Sequence, residues 1–468
     1  MYSKKAHIHF IGIGGIGMSG IATILHNQGY RISGCDRDLQ QQSIKNLSAL
    51  GCLIYAENNT LQCADKSIDI LVYSSAIKAD NPEIVSAQQK GIPTIPRALM
   101  LAELMRTKYS IAIAGSHGKT TTTSFISHIL IEAGLDPTVI IGGHLTALST
   151  NARLGKGDFL VAEADESDRS LQNLQATLAL ITNIDLEHLE VYKDINDIKH
   201  VFKQFINNLP FYGKAILCLD DEQVQSLLPI PHIKTITYGL TDNADIYATN
   251  IILKPTHSLC TIQYKDNPQP IGSFLINMPG KHNIQNALGA LTLARELSIP
   301  FATIAKSLAN FKGIERRFSF RGTFKGAEIF DDYAHHPKEI ENTLIVARNR
   351  TKNRLVVLFQ PHRFTRMHRL WEYFIQVFLN SPVDHLIITD IYPASEEPIE
   401  NITSQQFVNK LLEYNPPFST TYIPHTNDFM AIKQEIVTVT HENDLLLLLG
   451  AGKINKLIPF LLDNIAEQ

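Results

Sequence analysis

YSIAIAGSHGKTTTT, Tyr109–Thr123, is the stretch from which the rest of the chain is read. Its apolar run Ile111-Ala112-Ile113-Ala114 has the continuity of a buried parallel strand. The chain then turns through Gly115 and Gly118, sets Lys119 beside Thr120, and enters a helical pattern from Thr121 to Glu132. Strand, glycine turn, Lys-Thr and helix is the layout of a phosphate-binding loop. Glycines let backbone N–H groups close on phosphate oxygens, the helix N-terminus adds partial positive charge, lysine adds a full one, and a threonine hydroxyl can hold Mg²⁺. The usual earlier glycine is replaced by Ile113, so the loop is a short G-x-x-G-K-T variant. Nucleotide phosphate binding is the expectation, with an ordinary strand–helix turn as the bland alternative.

Working outward, 468 residues correspond to about three domains at ~150 residues each. An apolar fraction of 44% and a charged fraction of 19% are those of an ordinary globular protein. A net charge of −4 leaves no electrostatic footprint for nucleic acid. Cys35, Cys52, Cys63, Cys218 and Cys260 are scattered without a C-x-x-C pair, which fits a reducing cytoplasm and argues against a disulfide framework or structural zinc. The opening MYSKKAHIHFIGIGGIGMSG is basic then apolar, but glycines interrupt it and no cleavage site or spanning length follows, so no membrane association is expected.

The first 106 residues read as a Rossmann-like unit. A strand over His7–Ile13 leads into Gly12-x-Gly14-Gly15-x-Gly17 and a helix, and a second strand ends at Asp36, near the ~20-residue spacing of a dinucleotide fingerprint. Further strands are expected at Asp69–Tyr73 and Gly91–Pro96. The glycines either hold a diphosphate or merely allow tight packing. NAD is the default ligand of such a loop, but the separate phosphate loop downstream weakens that reading, because hydride transfer needs no ATP.

Residues 107–313 form the unit around Lys119. A strand at Asp158–Ala162 ends in Glu163-Ala164-Asp165-Glu166-Ser167-Asp168, and one at Leu178–Ile181 ends in Thr182-Asn183-Ile184-Asp185, then Glu187-His188. Carboxylates at parallel strand ends beside a phosphate loop lie where Mg²⁺ ligands are needed. A solvated acidic turn and a packing histidine are the alternatives. Lys234–Phe274 reads as short strands covering one side. Asn283 and Asn286, at the start of a clear helix, either cap and pack or read an adenine edge, which needs adjacent donor and acceptor.

Residues 314–468 restart the alternation of strand and helix, the third α/β unit. Polar clusters follow its strands: Arg316-Arg317, Asp331–Pro337, and Gln360–Arg366, the last leading into an expected helix over Arg366–Phe378. Arg363 and Arg366, three apart, either grip a carboxylate or neutralise phosphate. Arg316 and Arg317 suit a γ-phosphate clamp supplied by a closing domain.

GIGGIGMSG, GSHGKTTTT, EADESD, TNIDLEH, GKHNIQNA, ERRF, DDYAHHP and FQPHRFTR follow in that order over nearly the whole chain. Together they resemble the Mur ligase family, in its muramyl branch. The resemblance implies three domains: a UDP-substrate domain, a central P-loop ATPase, and a C-terminal amino-acid and nucleotide domain. It implies an ATP-dependent ligase joining L-alanine to the carboxylate of UDP-N-acetylmuramate through an acyl phosphate, in cytoplasmic peptidoglycan precursor synthesis, as a monomer or homodimer. Gly12, Gly14, Gly15 and Gly17, with Ser74 and Ser75, would hold the UDP-substrate. Gly115, Ser116, His117, Gly118, Lys119, Thr120 and Thr121 would hold the ATP phosphates, with Asn286 at adenine, Arg317 at the phosphates and Asp332 on the ribose side. Thr120 and Glu163 would share one Mg²⁺ and His188 a second. Tyr333, His335, Arg363 and Arg366 would position the amino acid, and Lys119, His188, His335, Arg363 and Arg366 would carry catalysis. The nearest rival within the family joins a whole tripeptide to the same UDP-sugar; PHRFTR favours the single amino acid. Arg169, Lys453 and Ser116 depart from the family pattern without removing a catalytic group.

Overall fold

The computed structural model describes residues 5–56, 67–74, 76–145, 150–188, 191–394, 396–426 and 428–462. Three sheets follow one another along the chain, each with helices packed on it. Among the described residues no helix is long and apolar enough to cross a membrane.

The first sheet has β1 (His7–Ile11), β2 (Arg31–Asp36), β3 (Leu53–Ala56), β4 (Ile70–Tyr73) and β5 (Thr94–Pro96) in the order β3-β2-β1-β4-β5, all parallel. Strand order reverses between β1 and β4, so a crevice opens at the carboxyl end of β1, where ligands of such sheets bind. β1 stops at Ile11 rather than Ile13 because Gly12 takes φ +76°, a left-handed turn that glycine adopts without strain.

The central sheet comprises β6 (Tyr109–Ala114), β7 (Thr138–Leu145), β8 (Thr150–Arg153), β9 (Phe159–Glu163), β10 (Leu178–Ile181), β11 (Lys214–Cys218), β12 (Lys234–Gly239), β13 (Ile246–Leu253), β14 (Ser258–Tyr264) and β15 (Asn267–Ile276). Their order is β15-β14-β13-β12-β11-β10-β6-β9-β7-β8. β6 lies between β10 and β9, and both neighbours run parallel to it. Register pairs Ile113 with Glu163 and Ala114 with Ile181, so three strand ends finish side by side. The stretch expected to cover one side instead extends this sheet: β12 pairs parallel with β11, and β13, β14 and β15 form an antiparallel meander at its edge.

The third sheet holds β16 (Ser319–Phe324), β17 (Ala327–Asp332), β18 (Leu355–Phe359), β19 (His385–Ile388), β20 (Ser419–Tyr422) and β21 (Leu445–Leu449), ordered β16-β17-β21-β18-β19-β20. Only β16 is antiparallel. The five leucines of β21 are buried at its centre, as a strand covered on both faces requires. The single helix expected from Arg366 to Phe378 is two, Phe364–Arg369 and Trp371–Leu379. Leu370 leaves helical backbone at φ −108° while its side chain stays buried in the core, so packing overrides helix continuation there.

Candidate functional site

The loop after β6 is shaped by its glycines and braced by the strand end of β10. Gly115 (φ +137°) and Gly118 (φ +80°) both lie in the region that favours glycine. A Cβ on Gly118 would stand 2.5 Å from Asn286 Oδ1, and one on Gly115 would collide with the Thr182 hydroxyl. The Ser116 N–H donates to the Asn183 carbonyl (3.1 Å), the His117 N–H to Asn183 Oδ1 (2.8 Å), and the Thr182 hydroxyl to the His117 carbonyl (2.7 Å). Gly118 is the N-cap of helix Lys119–Glu132, whose N-terminus therefore opens at the loop.

Lys119 Nζ donates to the Gly115 carbonyl at 2.6 Å and to both oxygens of Glu166 at 2.9 Å. Burial opposes its charge, but Glu166, Asp165 and Glu163 outweigh that and hold the ammonium above the ordinary lysine range. Burial pushes the Glu166 carboxyl up, only partly offset by Lys119 and His188. The Thr120 hydroxyl donates to Glu163 at 3.0 and 3.2 Å, and the Gly142 N–H also donates to Glu163. His188 sits at φ +53° with Nε2 3.9 Å from both Glu166 and Glu187. The ligand atoms of Glu166, Glu187 and His188 all lie within 4.8 Å of one another.

Glu187 also reaches the third sheet. Arg366 donates to it at 3.1 Å, and His335 Nε2 lies 3.9 Å away. Burial opposes the Glu187 charge, yet His188, His117 and Arg366 hold its carboxyl well below the usual range. His335 is pushed down to about 4, by burial first and then by Arg366, so it is neutral near pH 7. Glu187, His188, Arg363 and Arg366 line a cavity of about 20 Å³. Arg363, at φ +69°, caps helix Phe364–Arg369 and lies 3.7 Å from Glu396.

A second junction lies at the loop itself. His117 bridges Asp185 (3.1 Å) and Glu339 (3.3 Å) and packs its ring 4.7 Å from His336. Burial opposes its protonation, but the two carboxylates win and push it up to about 10. His117, Gly118, Asn286, Arg317 and Asp332 line a cavity of about 950 Å³ between the central and C-terminal sheets, with the neutral His282 on its wall. Arg317 approaches Glu339 at 4.0 Å. Asp332, raised to about 6 by burial, accepts N–H groups of Phe318 and Ala334, both at 2.7 Å.

Most of the expected residues are thus gathered at one junction, with some changes of role. Arg316 does not join Arg317 in the cavity: it donates to the Gly452 carbonyl (3.3 Å), faces Asp331 (3.6 Å) and stacks on Tyr333, tying strand ends together. Tyr333 is packed between Arg316 and His335. Gly12, Gly14 and Gly15 form the turn after β1, Gly17 lies in the first turn of helix Ile16–Asn27, and Ser74 lies against Gly12; Ser75 is outside the described residues. Asp36, the acid of the fingerprint, holds the loop: it accepts the Gly14 N–H at 2.8 Å. Arg97 packs on Gly17 and pairs with Asp165 at 3.1 Å, joining the first sheet to the central one. Arg169 is a structural clamp, donating to both oxygens of Asp197 at 2.7 and 2.8 Å over the Tyr192 ring. Lys453 is exposed. The residues the sequence left unassigned are Glu166, Glu187 and Glu339. The first two stand inside quoted motifs; Glu339 has only its place three residues after His336, the spacing of a capping box.

Comparison with known proteins agrees with this geometry. Residues 7–109 match the model described as Mur ligase family, catalytic domain; residues 113–294 match the Mur ligase middle domain; residues 316–452 match the Mur ligase, glutamate ligase domain. The chain belongs to the Mur ligase family. Among its relatives, the UDP-N-acetylmuramate–L-alanine ligase of Geotalea uraniireducens is 47% identical over 455 residues, 97% of each chain. That of Geobacter sulfurreducens is 46% identical over 456 residues, 97% of this chain and 96% of the relative. The crystal structure of UDP-N-acetylmuramate–alanine ligase MurC from Thermotoga maritima superposes with a TM-score of 0.81 at 25% identity, covering 98% of this chain and 99% of that one.

Proposed function

We propose that this chain joins L-alanine to the carboxylate of UDP-N-acetylmuramate in the cytoplasm, converting ATP to ADP and phosphate. The observation that carries the reading is the meeting of two clusters. Lys119, Thr120 and Glu163 stand at the phosphate loop, and Glu187 links that loop's neighbours to Arg366 and His335 of the third sheet. The relatives' names support a single amino acid as acceptor rather than a tripeptide.

In the first step a carboxylate oxygen of the muramyl substrate bonds to the γ-phosphorus as the bond from that phosphorus to ADP breaks. In the second, the alanine amine bonds to the acyl carbon, the bond to phosphate breaks, and the amine sheds a proton. Two anions must meet in the first step, and Lys119 and Arg317 offset their repulsion. The 950 Å³ cavity would take the nucleotide, with Asn286 at the base and Asp332 toward the ribose. The turn Gly12–Gly17 with Ser74 would hold the UDP diphosphate at a helix N-terminus. Arg363 and Arg366 would receive the alanine carboxylate, with neutral His335 as acceptor for the amine proton. We place the domain divisions at 106/107 and 313/314.

Magnesium fits the donors present. The oxygens of Thr120 and Glu163 are 3.0 and 3.2 Å apart, close to the ~2.9 Å edge of an octahedral Mg²⁺ site. Glu166, Glu187 and His188 would hold a second ion, with two carboxylates as the hard oxygen donors. Bound there, the ions would supply charge neutralisation between triphosphate and carboxylate.

Oxygen labelling tests the route. With ¹⁸O in the muramyl carboxylate, the acyl-phosphate path delivers label to inorganic phosphate. Unlabelled phosphate alongside amide formation would overturn it.

A further inference from the structure

Away from the ligase site, the first sheet buries a histidine, a cysteine and a glutamate against one another. We propose that His9, Cys35 and Glu83 form a binding site for a zinc-class divalent metal beneath the first glycine loop. His9 is on β1, Cys35 on β2 and Glu83 in helix Pro82–Gln89, and they are 0%, 0% and 4% exposed. Cys35 Sγ lies 3.2 Å from Glu83 Oε2, His9 Nε2 lies 3.9 Å from the same oxygen, and all three ligand atoms fall within 4.8 Å of one another. A tetrahedral ion with bonds of about 2.0–2.3 Å sets its ligands ~3.3–3.7 Å apart, so little movement separates these positions from coordination.

The hydrogen-bond chain behind His9 prepares it as a ligand. His7 Nδ1 is 3.2 Å from the Ser67 carbonyl oxygen, which can only accept, and 3.4 Å from the Ser67 hydroxyl; neutral His7 donates its Nδ1 proton to the nearer carbonyl. Its Nε2 then accepts from the Ser33 hydroxyl at 2.7 Å. That hydroxyl has one hydrogen, so at its 2.8 Å contact with His9 Nδ1 it accepts. His9 Nε2 is left with a lone pair aimed at Cys35 and Glu83, and it makes no hydrogen bond among the described residues. A second partner fixing the tautomer in this way is the usual support of a metal-binding histidine. In the metal-free protein the Cys35 S–H donates to Glu83, and a cation among lone pair, thiol and carboxylate would take the place of that proton.

Charge and donor type choose the cation. Thiolate and carboxylate carry two negative charges and imidazole none, so a divalent ion leaves the buried site neutral. Sulfur and nitrogen donors suit zinc and cobalt and disfavour magnesium. Loading releases the Cys35 thiol proton to solvent as the sulfur–metal bond forms. Cys35 adjoins Asp36, whose carboxylate holds Gly14, so the metal ties together the strands that carry the glycine loop. The rival occupant is a proton shared within the triad.

The test uses the full chain, expressed in zinc- or cobalt-supplemented minimal medium and dialysed into metal-free buffer. Expected are stoichiometric zinc by mass spectrometry and, in the cobalt form, a thiolate-to-cobalt charge-transfer band in the near ultraviolet. Cys35→Ser, close in shape, should lose the band and retain at least ~10-fold less metal. His9→Gln should weaken retention similarly, and serves if the serine variant folds poorly. Substoichiometric metal in the unsubstituted protein, or a band that survives Cys35→Ser, would overturn the proposal and leave the proton as occupant. The band requires a thiolate, so it is blind to the oxygen-rich site at Lys119 and independent of ligase turnover.

Discussion

Replacing Lys119 with methionine removes an ammonium while keeping its stem, and two consequences separate cleanly. Lys119 and Glu166 meet at 2.9 Å with side chains 14% and 2% exposed. Stranding a buried carboxylate costs about 3–5 kcal/mol. Glu166 can escape that cost by taking up a proton, and burial already raises its carboxyl. Without Lys119 it rises further. A carboxyl whose folded pKa lies above the unfolded ~4.3 costs nothing at lower pH and exacts its full penalty above the folded value. The variant should therefore lose little stability near pH 5 and most at pH 8, read as a lowered urea midpoint. Adding Glu166→Gln should restore much of the midpoint at pH 8, because a neutral amide needs no counter-charge. Phosphate release should fall at least ~100-fold in both variants, since the charge facing the transferring phosphoryl is gone. An equal stability loss at both pH values, unaffected by Glu166→Gln, would refute the buried-pair reasoning. Normal turnover would refute the phosphate-loop assignment.

Other perturbations probe the junction piece by piece. His117, held up to about 10 by Asp185 and Glu339, contributes stability that is complete below ~6.5 and lost as pH rises through 10. His117→Gln should flatten the fall in melting temperature between those limits; an unchanged alkaline slope would contradict the bridge. Gly118→Ala places a Cβ 2.5 Å from Asn286 Oδ1 at φ +80°, so it should cost at least about 1–2 kcal/mol and raise the ATP KM, measured by ADP formation. Arg366→Ala should raise the L-alanine KM more than the ATP KM; a change confined to ATP would mean the amino-acid clamp lies elsewhere.

Much of this arrangement was legible in the chain. Strand ends carry the polar motifs, and β6 between β9 and β10 brings GSHGKT, EADESD and TNIDLEH together, as a parallel sheet with ligands at its carboxyl edge must. The long-range partners were not legible. Glu187 looks like any acid in a turn until Arg366 and His335 are folded against it. Arg316 and Arg317 are neighbours with the same chemistry, and only the course of β17 and β21 decides that one braces Gly452 while the other faces the cavity. Asp36 matched the acid of a dinucleotide fingerprint, yet its carboxylate accepts the Gly14 and Asp38 N–H groups. β3, β8 and β20, four residues each, are defined by their pairing with β2, β7 and β19.

Phosphate release distinguishes the two possible acceptors. The protein would be given ATP, Mg²⁺ and UDP-N-acetylmuramate, with L-alanine or L-Ala-γ-D-Glu-diaminopimelate added in separate reactions. Release that depends on L-alanine, matched by UDP-N-acetylmuramoyl-L-alanine in the product mixture, is the predicted result. Release only with the tripeptide would make the tripeptide, not L-alanine, the acceptor.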